Sequence, residues 1–127
     1  MGVAFSRQTV RTIDEFAASM HIVAHPAVDG SYSFVFERSG TLTFTSTPSG
    51  DTTLLSLHVP LPVLNEDMEL LLMKLAGPEI STGRFLSVGV SRDGGAMLAV
   101  KIADEEMSLP QIETCLQQLF AARAAIP

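Results

Sequence analysis

The stretch from Phe85 to Ile102 restricts the possible folds of this chain more than any other. Leu86, Val88 and Val90 alternate with small residues, and Leu98, Val100 and Ile102 alternate in the same way after Arg92-Asp93-Gly94-Gly95. Two alternating apolar runs joined by Asp-Gly-Gly form a β-hairpin, because glycine accepts the positive φ that a tight turn demands. A helix-like segment stands on either side of this hairpin. The chain must therefore build an antiparallel sheet that helices cover.

Composition limits what that sheet can serve. Among 127 residues, 46% are apolar and only 17% charged, against roughly 25% charged in an ordinary soluble domain. A single domain spanning 1–127 is expected. With a mean hydropathy of +0.31, so small a domain hides apolar surface in an assembly or keeps a patch for a partner. The net charge is −6, and the eight basic residues are scattered. Nucleic acid, whose phosphates need clustered Lys and Arg, is excluded as a partner. The lone Cys115 forms no internal disulfide, which suits a reducing compartment. No basic segment followed by an apolar run opens the sequence, and no apolar run has membrane-spanning length. A cytoplasmic setting without membrane attachment is expected.

Taken in order, Val10, Ile13, Phe16, Ala17 and Met20 recur at steps of three and four from Ser6 to about Met20, the pattern of an amphipathic helix. Thr12 and Glu15 read as a capping box that could move its start later than Ser6. Pro26 opposes continuation. Tyr32, Phe34 and Phe36, then Leu42 and Phe44, then Leu55, Leu57 and Val59 mark three strands. Ser39-Gly40 and Thr47-Pro48-Ser49-Gly50-Asp51 supply their turns. Asn65 caps a second helix whose first turn holds Glu66, Asp67 and Glu69. Leu70, Leu71, Leu72, Met73 and Leu75 cover more than one face of it, so it needs burial on two sides. Gly77-Pro78 ends it. After the hairpin, Asp104-Glu105-Glu106 reads as a solvated bend, and Ser108 caps a last helix with Pro110 in its first turn. The predicted class is α+β, in the order α-βββ-α-ββ-α, an antiparallel twisted sheet with helices packed on it.

No catalytic constellation emerges from the residues. His21 and His25 have helical metal-pair spacing, but Ile22 stands where a zinc-protease motif needs glutamate, and Pro26 breaks the helix. They read as a polar helix end. A triad of Ser56, His58 and Asp51 would lack a nucleophile elbow and an oxyanion hole, so His58 reads as an exposed strand residue. Cys115 sits among Leu116 and Leu119 as a structural thiol. Arg92-Asp93-Gly94-Gly95 has the ending of neither a phosphate loop nor a calcium loop. The expected protein is a binding protein, not an enzyme, with no cofactor and no metal.

Three stretches carry a resemblance: Met68-Glu69-Leu70-Leu71-Leu72-Met73-Lys74-Leu75, then Leu86 through Gly95 with Leu98 and Val100, then Leu109, Ile112, Leu116 and Leu119. With the acidic pI near 4.8, the pattern resembles the class I type III secretion chaperones of the CesT/Tir-chaperone family over Val10 to Phe120. Ala76-Gly77-Pro78 departs from it, since family members often carry an asparagine soon after the second helix. The resemblance implies a cytoplasmic homodimer, in virulence or symbiosis, that binds the N-terminal segment of a bacterial effector and keeps it soluble and export-competent. It maps the dimer contact onto Leu70, Leu71, Met73, Lys74, Phe85 and Leu86. Effector binding maps onto Phe5, Val35, Leu42, Phe44 and Leu54, with strand addition supplying main-chain bonds. The alternative is a YbjN-like α+β protein-binding domain outside secretion.

Overall fold

The structure is a computed structural model that describes residues 5–79 and 82–127. The first helix, α1, spans Arg7–Ser19. Ser6 caps it by accepting from the Thr9 N–H at 3.1 Å, so the start lies at Ser6. Thr12 instead donates to the Gln8 carbonyl one turn back, at 2.8 Å. At the other end His21 adopts a left-handed φ of 59°. The His21 and Ile22 N–H groups then return to the Ala18 and Ala17 carbonyls, the paired closure of a Schellman motif. The helix thus stops well before Pro26.

Three strands follow: β1 (Tyr32–Phe36), β2 (Gly40–Ser46) and β3 (Thr52–Val59). Helix α2 covers Glu66–Leu75, capped by the Asn65 side chain. Gly77–Pro78 forms a two-residue strand, β4, which the sequence pattern does not show. The hairpin is β5 (Phe85–Val90) and β6 (Ala96–Ala103), and α3 runs Leu109–Ala124 from its Ser108 cap.

All strands join one antiparallel sheet in the order β1-β2-β3-β6-β5-β4. The meander and the hairpin are welded by β3 and β6, whose register sets Leu55 against Val100 and Leu57 against Leu98. Since successive side chains point to opposite faces, this register gathers Phe34, Leu42, Phe44, Leu55, Leu57, Leu98, Val100 and Ile102 on one face, all buried. Helix α1 lies there through Phe16, whose ring meets Phe34 at 5.3 Å and Phe44 at 5.6 Å. Helix α3 lies on β6 and β3 and packs against α1, burying Ile112, Cys115 and Leu119. The opposite face carries Ser33, Val35, Thr41, Thr43, Leu54, His58, Met97 and Lys101, none of them buried.

Two polar contacts lock this arrangement. Asp104, expected in a solvated bend, opens a 3₁₀ turn and is half-buried. Its carboxylate accepts from Thr9 Oγ1 at 2.7 Å and Ser6 Oγ at 3.1 Å, which pins the start of α1 to the end of β6. The bend is therefore a tertiary anchor. Arg84 reaches from the start of β5 to the Lys101 carbonyl, Glu106 and Gln111, while Gln118 donates to its carbonyl.

Gly40 sits where the β1–β2 turn passes β3. Its φ is +127°, and a Cβ there would stand 2.1 Å from the His58 carbonyl oxygen. Since neither strain nor clash can relax without moving β3, Gly40→Ala should lower unfolding stability by about 3 kcal/mol or more. Urea denaturation tests this, and a loss below about 1 kcal/mol would show that the turn yields.

Candidate functional site

The described residues hold no group of three His, Cys, Asp or Glu side chains able to bind a metal. His21 and His25 are both exposed and lie beyond the helix end, without helical register between them. Cys115 is buried, and burial pushes its thiol up, away from the reactive thiolate.

His58 is half-buried on the uncovered sheet face and paired. Its Nε2 lies 3.2 Å from Ser91 Oγ and 3.2 Å from Asp93 Oδ1, both in the turn between β5 and β6. The ring rests over Gly95, where a Cβ would stand 2.7 Å from Nε2. Serine and acid thus crowd the same imidazole nitrogen, whereas a catalytic triad sets the acid on the other one. Ser91 also donates to Asp93, and the Gly95 N–H donates to Asp93 at 3.0 Å. The contacts tie a turn to β3.

What remains is exposed apolar surface beside outer strands, and it lies in two places. The first is the edge at β1, the outermost strand of the sheet on that side. Val35 is 76% exposed there, and Phe5 packs its ring 5.8 Å from Tyr32 on the helix-covered side. An unpaired strand edge presents a row of N–H and C=O groups to any extended segment.

The second place is the flank formed by α2 and β5. Only Leu72 of α2 is fully buried, while Leu70 and Met73 are 55% and 72% exposed. A groove of ≈ 460 Å³ runs between the two elements, lined by Glu69, Leu72, Met73, Ala76, Val88, Gly89 and Val90. Strand β4 pairs only with Phe85 and Leu86. Beyond it β5 has no partner on its outer side among the described residues.

The residues assigned from the sequence divide accordingly. Leu70, Met73, Lys74 and Phe85 are exposed and Leu71 is half-buried, whereas Leu86 faces the interior at 4% exposure. Val35 and Leu54 share the uncovered sheet face, and Phe5 lies on the other side of the edge. Leu42 and Phe44, at 0% exposure, lie beneath α1 and offer no side-chain surface. The correction has a simple cause: alternation separates two faces of a strand without saying which one a helix covers. Val90, 47% exposed at the mouth of the groove, is an apolar contributor not singled out beforehand. Its alternation with Val88 and Leu86 marks the strand face but not its exposure, since Leu86 on that face is buried.

This is the fold of type III secretion chaperones: an open six-stranded antiparallel sheet with three α-helices, apolar at its edges. Solved structures resemble it along nearly its whole length. A chain of the ExsC–ExsE complex superposes with a TM-score of 0.69 at 20% identity, covering 89% of this chain and 86% of that one. The Yersinia pestis type III secretion chaperone SycH, in complex with a stable fragment of YscM2, gives 0.68 at 11% identity, covering 94% and 99%. A chain of the HopA1–SchA chaperone–effector complex gives 0.69 at 13% identity, covering 92% and 91%. The sequence matches no protein-family model and no curated protein.

The turn chemistry has a measurable consequence. Hydrogen bonds from Ser91, then the Gly95 N–H, then His58 hold the Asp93 carboxyl down to about 2, below its usual value of 3.8. A depressed carboxylate contributes stability that is present above about pH 4 and lost as pH falls through 2. NMR titration should therefore find the Asp93 midpoint well below the ordinary carboxyl range. The stability gap between wild type and Asp93→Asn should be full at pH 5 and shrink toward pH 2. A normal midpoint would mean that the turn contacts do not persist in solution.

Proposed function

We propose that this chain is a chaperone of type III secretion that works as a homodimer and binds the N-terminal segment of a bacterial effector, holding it soluble and competent for export. The observation that carries this reading is the likeness of fold, over almost the full chain, to chains of complexes between type III secretion chaperones and their bound proteins. The physical features agree with it. Export-competence requires that a segment be held extended, and an open strand edge binds extended backbone largely without regard to its sequence. Specificity then comes from side chains at and near that edge: Val35 on β1, Leu54 two strands inward on the same face, and Phe5 on the other side.

Dimerisation accounts for the second surface. Leu70, Met73, Phe85 and Val90 are all large, apolar and close to half exposed or more, more than a monomer gains by showing to water. On this reading Leu70, Leu71, Met73, Lys74 and Phe85 meet a second copy, and Leu86 supports them from beneath. The client edge at β1 and the assembly flank at α2 lie at opposite ends of the sheet, so a dimer leaves both client edges open.

The two roles separate by mutation. Leu70→Asp should shift the wild-type dimer to monomer in sedimentation equilibrium while leaving the thermal melt of the subunit within a few degrees, since the side chain is outside the core. Val35→Asp with Leu54→Asp should leave assembly unchanged and weaken binding of an N-terminal effector segment co-purified with the wild-type chain at least tenfold, on the order of 1.4 kcal/mol or more. Unchanged binding would place the client elsewhere, and a Leu70→Asp dimer would remove α2 from the contact.

A further inference from the structure

The turn between β1 and β2 borders a cavity of ≈ 310 Å³ at the end of the open edge. Val35, Arg38, Ser39, Thr41, Pro60 and Arg123 are among the residues that line it. Arg38 belongs to the turn and Arg123 to the last turn of α3, so the fold gathers two positive charges that stand far apart in the sequence. The chain carries eight basic residues against 14 acidic ones, and at this cavity the balance is reversed. Glu37, the one acid on its wall, is exposed and pairs with neither arginine.

Arg123 is held in place without being neutralised. Its Nε donates to the Ser39 carbonyl at 3.2 Å and its Nη1 to the Ile126 carbonyl at 3.0 Å. The rings of Phe36 and Phe120, 5.4 Å apart, fasten the same helix to β1. A guanidinium has more N–H donors than these two bonds consume, and carbonyl acceptors leave its full charge in place. Arg38 is exposed and has no ion-pair partner among the described residues. The acceptor that a guanidinium matches best, in charge and in paired geometry, is a carboxylate.

The cavity also continues the open edge, since Val35 belongs to both the edge strand and the cavity wall. It stands at the lower end of ligand-site volumes, roughly 300–1,000 Å³, which suits a side chain or two. An extended segment paired with β1 lays one side chain against Val35. Its next side chain on that face falls about 7 Å further along, toward the turn that holds Arg38.

We propose that this cavity selects an acidic side chain in the segment bound at β1: an Asp or Glu two residues from the apolar residue that covers Val35, its carboxylate meeting Arg38 and Arg123. The inference rests on the edge-binding reading above and adds a sequence preference to it. The arginines choose among segments that main-chain bonds alone accept alike.

Selection from a random peptide library on the full chain tests it. Peptides enriched by the wild type should carry an acid two positions from an apolar residue. Replacing that acid by its amide should weaken binding about tenfold, since a charge-assisted pair is lost. Arg38→Gln should weaken the acidic peptide by a similar factor and leave the amide peptide within about twofold. Arg38→Glu should prefer a peptide with lysine at that position over the acidic one. Raising salt from about 50 mM to 500 mM should narrow the gap between acid and amide. The acid and amide peptides are compared on the wild-type chain, so that arm stands whatever the variants do to the turn. Enriched peptides without an acid, or an acid whose removal costs wild type and Arg38→Gln equally, overturn the acidic subsite while leaving edge binding in place. A chain that enriches no peptide, or enriches peptides indifferent to Val35→Asp, overturns the edge reading and this inference together.

Discussion

The pairing of β3 with β6 is the contact on which the rest of the molecule depends. Each strand belongs to a locally closed unit, the meander on one side and the hairpin on the other, and neither unit buries its own apolar face. Their eight-residue register from Thr52↔Ala103 to Val59↔Ala96 puts Leu55, Leu57, Leu98 and Val100 at the centre of one continuous surface. Helix α1 can then close over Phe34 and Phe44, and α3 over β6. Because β3 and β6 are internal, β1 on one side and β5 with its short β4 cover on the other become the boundaries of the sheet. Both candidate binding surfaces follow from that topology.

Local signals in the sequence were strong where the chain needs only itself. The hairpin, the Asn65 and Ser108 caps, the third strand and the acidic first turn of α2 all appear where residue types and spacing place them. What was illegible depends on distant partners. Nothing local says that β3 chooses β6 as its neighbour, since any apolar strand of matching length would serve. Thr9 and Thr12 look like solvent residues of α1, yet Thr9 is buried because Asp104, far along the chain, accepts its hydroxyl hydrogen. His58 reads as an exposed strand residue for the same reason, since Ser91 and Asp93, which meet it, lie far along the chain. The assigned client residues fell on two faces because a period of two is silent about which face a helix will cover.

That division explains why so little identity accompanies so much structural likeness. The demands of this fold are apolar alternation, a few turns and two junction contacts, and many side-chain sets satisfy them. Identities of 11–20% over nearly whole chains are what such tolerant rules allow. On the proposed function, recognition through a strand edge and apolar flanks leaves no reacting atoms to preserve. Such recognition can drift with each partner while the sheet stays the same.

The bare edge at β1 also bears on colloidal behaviour. Sheet proteins commonly protect an outer strand with lysine, proline or a bulge, and Tyr-Ser-Phe-Val-Phe has none of these. Long-range repulsion from a net charge of −6 opposes such edge-to-edge pairing between copies. That repulsion disappears near the isoelectric point of about 4.8, where edge-to-edge pairing meets no opposition. On the proposed function, an occupant on β1 guards this chain as much as the chain guards its occupant, and a cell gains by making both together.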